Sequence, residues 1–389
     1  KIFSQKVVHD GFQKAFKGNW GAQAHTKRPG VIQDLSRLSY FGFISHLRKL
    51  NVPLPADAKV VGPRLLHGTQ WGIECPIHTP DGGNIGLHKH LSIITHISSG
   101  TSGYPFISLL RKMGMTLLEE SSIEYLSKST KVFINGAWVG VIKNPPVIIK
   151  NLKNFRRNGL LPIFTSIQWD ITKNEILILT DKGRAMRPIF YIMGGETAQG
   201  WISWGREPIV KKISEKTITW KELVMGIGKK KPGVNIEISN EKIYDPREVF
   251  SFEANETQLI INGNVIDYMD TQEAEGAFIA MERENFIQGK TTHVEIHPSL
   301  VLGIMANMVI FPENNPLPRD LFSCGQSKQA VSLYSTNFQN RIDKMGIILN
   351  YRQIPLIKSR YLKIATNEKH PYGENAIVAI ACYSGYNVE

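Results

Sequence analysis

Cysteine is scarce: Cys75, Cys324 and Cys382 are the only three in 389 residues. They are far apart and odd in number, which argues against a disulfide framework and makes a reducing compartment the default. No run of about 18 apolar residues occurs, so no spanning helix is expected. Residues 1–10 are mixed and polar, unlike a signal peptide. The chain starts with Lys rather than Met and stops at Glu389 without a closing loop, so both ends read as cuts in a longer chain. Hydrolase and phosphate-loop templates are missing as well: there is no G-x-S-x-G, no H-E-x-x-H and no G-x-x-x-x-G-K-[ST]. Internal repeats and low-complexity tracts are also lacking.

Acidic residues are the minority charge. Lys and Arg total 46 against 34 Asp and Glu, a net charge of +12. That excess suits a polyanion, most simply nucleic acid, although an acidic membrane surface or plain solubility would also account for it. With 42% hydrophobic and 21% charged residues the chain is an ordinary globular one. Its length suggests two to four domains.

Residues 1–50 read as helical. Val7, Val8, Phe12 and Phe16 keep helical spacing with Gly18 as a stop, and Leu35, Leu38, Phe41, Ile44 and Leu47 form a second stripe. Residues 51–90 are broken by prolines and glycines into a turned, loop-rich segment, in which Trp71, Ile73, Ile85 and Leu87 argue for order. From 131 to 192 the pattern becomes α+β. Asn135-Gly136 joins two β-type runs as a hairpin turn, and a helix ends near Gly159 with Arg156 and Arg157 in its last turn, where cations suit the dipole. Residues 176–179 and 188–191 read as another hairpin-like pair. Residues 229–233 (Lys-Lys-Lys-Pro-Gly) read as an exposed loop, and Asn262-Gly263 as the turn of a further hairpin with Leu259-Ile260-Ile261 as its first arm. Beyond about 292 the runs are apolar and β-type, ending in a buried strand over 375–380.

Three clusters could carry chemistry. Cys75, His78, His88 and His90 could ligate zinc, but one thiolate and no ligand pair at finger spacing favour a rigid loop through Pro80-Asp81-Gly82-Gly83-Asn84. Arg319 and Lys328 stand nine residues apart and could both reach phosphates, with Gln329 adding an amide; read blind, this is a solvated charged turn. Glu389 follows a turn beyond an expected strand, an ordinary place for a metal-binding carboxylate and equally for a surface Glu.

In order along the chain, several motifs resemble the second-largest subunit of multisubunit DNA-directed RNA polymerases. They are Gly18-Asn19-Trp20-Gly21, Ser45-His46-Leu47-Arg48, Pro63-Arg64-Leu65-Leu66-His67, Trp71-Gly72, Thr180-Asp181-Lys182-Gly183-Arg184, Val265-Ile266-Asp267-Tyr268-Met269-Asp270, Glu295-Ile296-His297-Pro298-Ser299, Pro318-Arg319, Lys328-Gln329 and Asn375 through Asn387. The eukaryotic and archaeal type fits better than the bacterial one. The wording around residues 322–327 is similar to versions carried by large DNA viruses.

The resemblance implies a multidomain α+β interior fragment: fork 1–97, external 1 domain 98–208, external 2 domain 209–288, and 289–389 as the start of a hybrid-binding β-barrel domain. It implies DNA-templated RNA synthesis by nucleotidyl transfer, with this chain as one wall of the active centre and inactive alone. Mg²⁺ would be held mainly by the largest subunit. The other partners would be further polymerase subunits, the DNA template, the RNA–DNA hybrid and nucleoside triphosphates, with no membrane. The place would be intracellular: the nucleus, or the host cytoplasm or virion for a viral version. By motif, Arg319 would meet the incoming nucleotide's phosphates and Lys328 and Gln329 the RNA of the hybrid. Arg64, Asp81 and Asn84 would sit in the fork, and Glu389 would reach the second metal indirectly. The sequence departs from the family at His78, where Glu is usual, at Phe322, where Tyr is usual, and at Glu374, where Gln is usual. The rival reading is a non-enzymatic nucleic-acid-binding or assembly module derived from this scaffold.

Overall fold

The computed structural model describes residues 4–16, 32–193, 201–205, 207–226 and 263–387. The motif at 18–21, the lysine run at 229–233, the hairpin arm at 259–261 and Glu389 lie outside them. The described chain is α+β and forms two compact units. One comprises Lys1–Arg64, Ile77–His90 and Ile304–Glu389; the other comprises Leu65–Pro76 and Leu91–Gly303. No helix among the described residues is long and apolar enough to cross a membrane.

The second unit is built on two sheets. In the five-stranded one, Thr130–Ile134 and Ala137–Ile142 pair antiparallel across Asn135-Gly136. Both turn residues have positive φ, 49° and 83°, as this tight turn requires. Val132 and Ile134 alternate inward, and Ile176 and Ile178 of Glu175–Leu179 join them in parallel register. The helices Tyr104–Lys112 and Pro145–Arg157 cover this face with Phe106, Leu110, Ile148 and Leu152. Each such fully buried side chain contributes about 1.5–3 kcal/mol.

The second sheet centres on the long strand Ala185–Met193, which pairs antiparallel with His96–Ile97, Ile266–Asp270, His293–Val294 and Trp201–Ile202. The expected pairing of 176–179 with 188–191 is therefore corrected. Those segments belong to different sheets, because the first is taken by parallel pairing with Thr130–Ile134. Asn135 holds the crossing: its Oδ1 accepts from the Thr180 N–H at 2.7 Å.

Arg156 and Arg157 do more than complement a helix end. Arg156 is fully buried and bidentate to Glu273, at 2.7 and 2.9 Å, and it donates to Thr165 O at 2.7 Å. Arg157 donates to Asp267 at 2.7 Å and lies over the Tyr191 ring. Close by in sequence to these partners, Arg187 bonds Glu295 at 2.6 Å, and Trp71 Nε1 donates to the same carboxylate.

In the first unit, helix Gln5–Phe16 forms as its spacing predicts, with Val7, Val8, Phe12 and Phe16 exposed. The second stripe is only partly helical. The helix is Tyr40–Leu47, started by Ser39 Oγ accepting from the Gly42 N–H, and Leu38 and Leu47 are exposed. The strand Lys49–Asn51 then pairs antiparallel with His88–His90.

Beyond Gly303 two expectations are corrected. Residues 318–327 are not a turn but part of the helix Leu317–Ser327, opened by Pro316 and Pro318, which suit a first turn. Residues 375–380 are not a buried strand: Ile377, Val378 and Ile380 are exposed and no described strand pairs with them. Without a ladder partner an apolar run gains no strand hydrogen bonds. No closed barrel forms among the described residues; from 304 onward they carry helices and short 3₁₀ turns.

Candidate nucleic-acid and nucleotide interface

Six of the residues singled out by sequence lie in the first unit, on two supports. One support is the loop from Thr79 to Leu87. Asp81 and Asn84 are exposed on it. Arg64 holds its shape from one side. One terminal nitrogen donates to Gly83 O and Ile85 O, at 2.7 and 3.0 Å, and the other to Ala56 O and Ala58 O, at 2.9 and 3.3 Å. A guanidinium has a fixed fork of donors, so these bonds tie the loop at Gly83 and Ile85 to the segment at Ala56 and Ala58. Thr79 holds it from the other side, accepting from Gly86 N–H and donating to His88 O, both at 2.9 Å.

Gly86 has φ +73°, and a Cβ there would stand 2.4 Å from Arg64 O. Gly86→Ala is therefore expected to destabilise the loop by more than ~1 kcal/mol, since both backbone conformation and space are wrong. Gly82 has φ +87° but open space around it, so Gly82→Ala should be the milder change. Limited proteolysis between residues 79 and 87 measures both; equal cleavage of Gly86→Ala and the parent would contradict the expectation.

The other support is the helix Leu317–Ser327. Arg319 stands exposed in its first turn, its guanidinium 5.7 Å from the Phe322 ring centroid, and has no carboxylate partner among the described residues. Asp320 turns inward and accepts from Asn315 Nδ2 at 3.2 Å. Lys328 is the C-terminal cap and Gln329, next to it, is exposed. Nine residues at 1.5 Å each place Arg319 and Lys328 roughly 14 Å apart along the axis. That is about four base steps of a duplex.

Sequence reasoning missed how Lys328 is held. Its carbonyl accepts from Ser39 Oγ at 2.7 Å. A Cβ on Gly42 would come within 2.8 Å of the same oxygen, so the start of the helix Tyr40–Leu47 lies directly against it. Nothing local around Ser39 signals a partner 289 residues away.

His78 and His90 do not form a metal centre. Their rings stack face to face, 3.5 Å between centroids and 2° from parallel. In-plane lone pairs of two parallel rings cannot converge on one ion. His90 Nδ1 donates to His78 O at 3.1 Å, while neither His78 nitrogen has a partner. Burial, then the neighbouring His90 and Lys328, pushes His78 far below the usual imidazole range. Burial and Lys328 hold His90 down at about 3. Both rings are neutral at physiological pH. Among the described residues no three His, Cys, Asp or Glu side chains converge to hold a metal.

The sequence matches three family models in colinear order: RNA polymerase Rpb2, domain 3 over residues 33–97, domain 4 over 132–193 and domain 6 over 305–389. It is 34% identical to the DNA-directed RNA polymerase II subunit RPB2 of Encephalitozoon cuniculi, over 98% of this chain and 31% of that protein. It is 35% identical to the DNA-directed RNA polymerase II subunit 2 of Arabidopsis thaliana, over 99% of this chain and 30% of that protein. With the DNA-directed RNA polymerase subunit Rpo2 of Sulfolobus acidocaldarius it shares 30% identity, over 96% of this chain and 30% of that protein. The chain belongs to the family of second-largest subunits of multisubunit RNA polymerases, with relatives of the eukaryotic and archaeal kinds. It spans about a third of the length of these relatives.

Proposed function

We propose that this chain forms one wall of the active centre of a DNA-directed RNA polymerase, contributing to template-dependent nucleotidyl transfer. The observation that carries the reading is one helix, Leu317–Ser327, which presents Arg319 at its start and leads into Lys328 and Gln329 at its end. Arg319 would contact the incoming nucleotide's phosphates, where a free guanidinium can form paired hydrogen bonds to developing charge. Lys328 and Gln329 would follow the RNA strand of the hybrid. Asp81 and Asn84 would face the downstream edge of the hybrid, with Arg64 shaping their loop as well as adding positive charge. Such backbone contacts carry no sequence preference.

The functional divisions in this reading are fork 1–97, external 1 domain 98–208, external 2 domain 209–288 and hybrid-binding domain 289–389. Mg²⁺ would be held mainly by the largest subunit, with Glu389 as an indirect contact. Further polymerase subunits, template DNA, RNA–DNA hybrid and nucleoside triphosphates complete the partners. The place of action is the nucleus, or the host cytoplasm or virion for a viral version.

The test is primer extension. The 389-residue chain alone should make no RNA. Assembled within its polymerase it should support template-dependent synthesis, and an Arg319→Ala variant of that assembly should extend the primer far more slowly. RNA synthesis by the chain alone would refute the division of labour proposed here.

A further inference from the structure

The helix Leu317–Ser327 ends, as every helix does, in carbonyls with no amide donor further along the helix. One of them is met by a side chain from far away in sequence. Ser39 Oγ donates to Lys328 O at 2.7 Å and stands 3.5 Å from Ser327 O. The same oxygen accepts from the Gly42 N–H at 2.9 Å, as the cap that starts the helix Tyr40–Leu47. A serine hydroxyl has one hydrogen to give and lone pairs to accept with. Here the hydrogen goes to the end of one helix and a lone pair to the start of another. Ser39 is 1% exposed, so water is not at hand to replace either bond.

The space around this joint is closed. A Cβ on Gly42 would lie 2.8 Å from Lys328 O and 2.9 Å from Ser39 Oγ, so glycine is what lets the two backbones come this near. The next two side chains fasten the same turn to a further segment. The Tyr40 ring stacks on His370, 3.7 Å between centroids and 6° from parallel. Phe41 is buried and meets the Tyr372 ring edge-on at 5.4 Å. These ring contacts hold the turn in place, and the hydrogen bond, which is directional, orients the helix end from that fixed point.

We propose that Ser39 is a positioning residue of the active-centre wall: through the Lys328 carbonyl it fixes the end of the helix Leu317–Ser327, and so the direction in which Lys328 and Gln329 leave it. This rests on the reading of Lys328 and Gln329 as contacts to the hybrid. Ser39 is buried and acts only through the backbone it holds. Without its donor the last turn frays, and the side chains beyond it lose more freedom when the hybrid binds. Arg319 sits at the opposite end of the helix and keeps its place. The consequence therefore falls on grip rather than on chemistry.

Two measurements on the assembled polymerase separate these. One is the lifetime of a halted complex holding an RNA–DNA hybrid, and the other is single-turnover addition of one nucleotide. Ser39→Ala should shorten the lifetime roughly fivefold, the scale of one net hydrogen bond, while the rate of addition changes far less. Ser39→Thr, which keeps the hydroxyl, should restore the lifetime. In a Lys328→Ala/Gln329→Ala background, Ser39→Ala should shorten it no further, whereas a merely structural role would shorten it in both backgrounds. If Ser39→Ala fails to assemble, Ser39→Cys carries the same prediction, since a thiol is a weak donor of similar shape. A parent lifetime in the Ser39 variant overturns the proposal, as does an equal loss in the Lys328→Ala/Gln329→Ala background. A parent lifetime in Lys328→Ala/Gln329→Ala itself removes the hybrid reading of those two residues, and the positioning role with it.

Discussion

Replacing Arg156 by methionine is expected to destabilise the second unit by about 3–5 kcal/mol, the usual consequence of leaving a buried charge unpaired. Glu273, 3% exposed, would stay buried with only Lys153 at 3.7 Å in place of its bidentate partner, while Asp267, 1% exposed, would keep Arg157. Thr165 O would lose its donor as well. The damage should be local to the joint between the helix Pro145–Arg157 and the strand and helix that carry Asp267 and Glu273. Hydrogen exchange of the amides in Ser166–Asp170 and Ile266–Asp270 is the measurement. Unchanged protection would show that the network carries little energy. A double change, Arg156→Met with Glu273→Leu, should recover much of the loss, because an apolar pair of similar volume needs no compensation.

The same network sets an acid limit. Arginine neighbours hold the Asp267 and Glu273 carboxyls below their usual ranges of 3.8 and 4.5, against the opposing effect of burial. A depressed folded-state pKa stabilises the fold above the unfolded value and loses that stabilisation as pH falls towards the folded one. Stability should therefore decline progressively on acidification below about pH 4.5, and Arg156→Met should blunt that decline.

The second large effect is kinetic. Arg319→Ala in the assembled polymerase is expected to slow nucleotide addition by roughly 10²–10³-fold, the range for removing one donor aimed at developing charge. Hybrid affinity should change far less. Arg319→Lys should recover only part of the rate, because an ammonium cannot make the paired contact of a guanidinium. Single-turnover incorporation of one nucleotide separates the two quantities. A wild-type rate for Arg319→Ala would remove Arg319 from the chemistry, whatever its effect on binding.

Much of this molecule was legible from short-range sequence. The Asn135-Gly136 hairpin, the helix Gln5–Phe16, the turn-rich stretch around Pro53 to Gly86 and the order of the family motifs all depend on adjacent residues. The misreadings have a common cause. The run at 375–380 has strand composition, but a strand exists only with a partner, and no described residue supplies one. The segments at 176–179 and 188–191 look like hairpin arms, yet each finds a better neighbour elsewhere in the chain. The charged stretch at 318–327 was hidden as a helix by its two prolines, which are tolerated because they sit at its opening.

By itself the sequence determined the family, the basic character and the identity of Arg64, Asp81, Asn84, Arg319, Lys328 and Gln329 as the residues to watch. Turn chemistry and motif order are local properties, written in a few consecutive side chains. Only the tertiary structure decided what those residues touch. It spends Arg64 on four carbonyls, leaves Arg319 open to solvent and ties the Lys328 carbonyl to Ser39. It also joined Arg156 to Glu273 across 117 residues and Arg157 to Asp267 across 110. Pairing at such separations is chosen by packing and the cost of burying charge, and no local pattern records it.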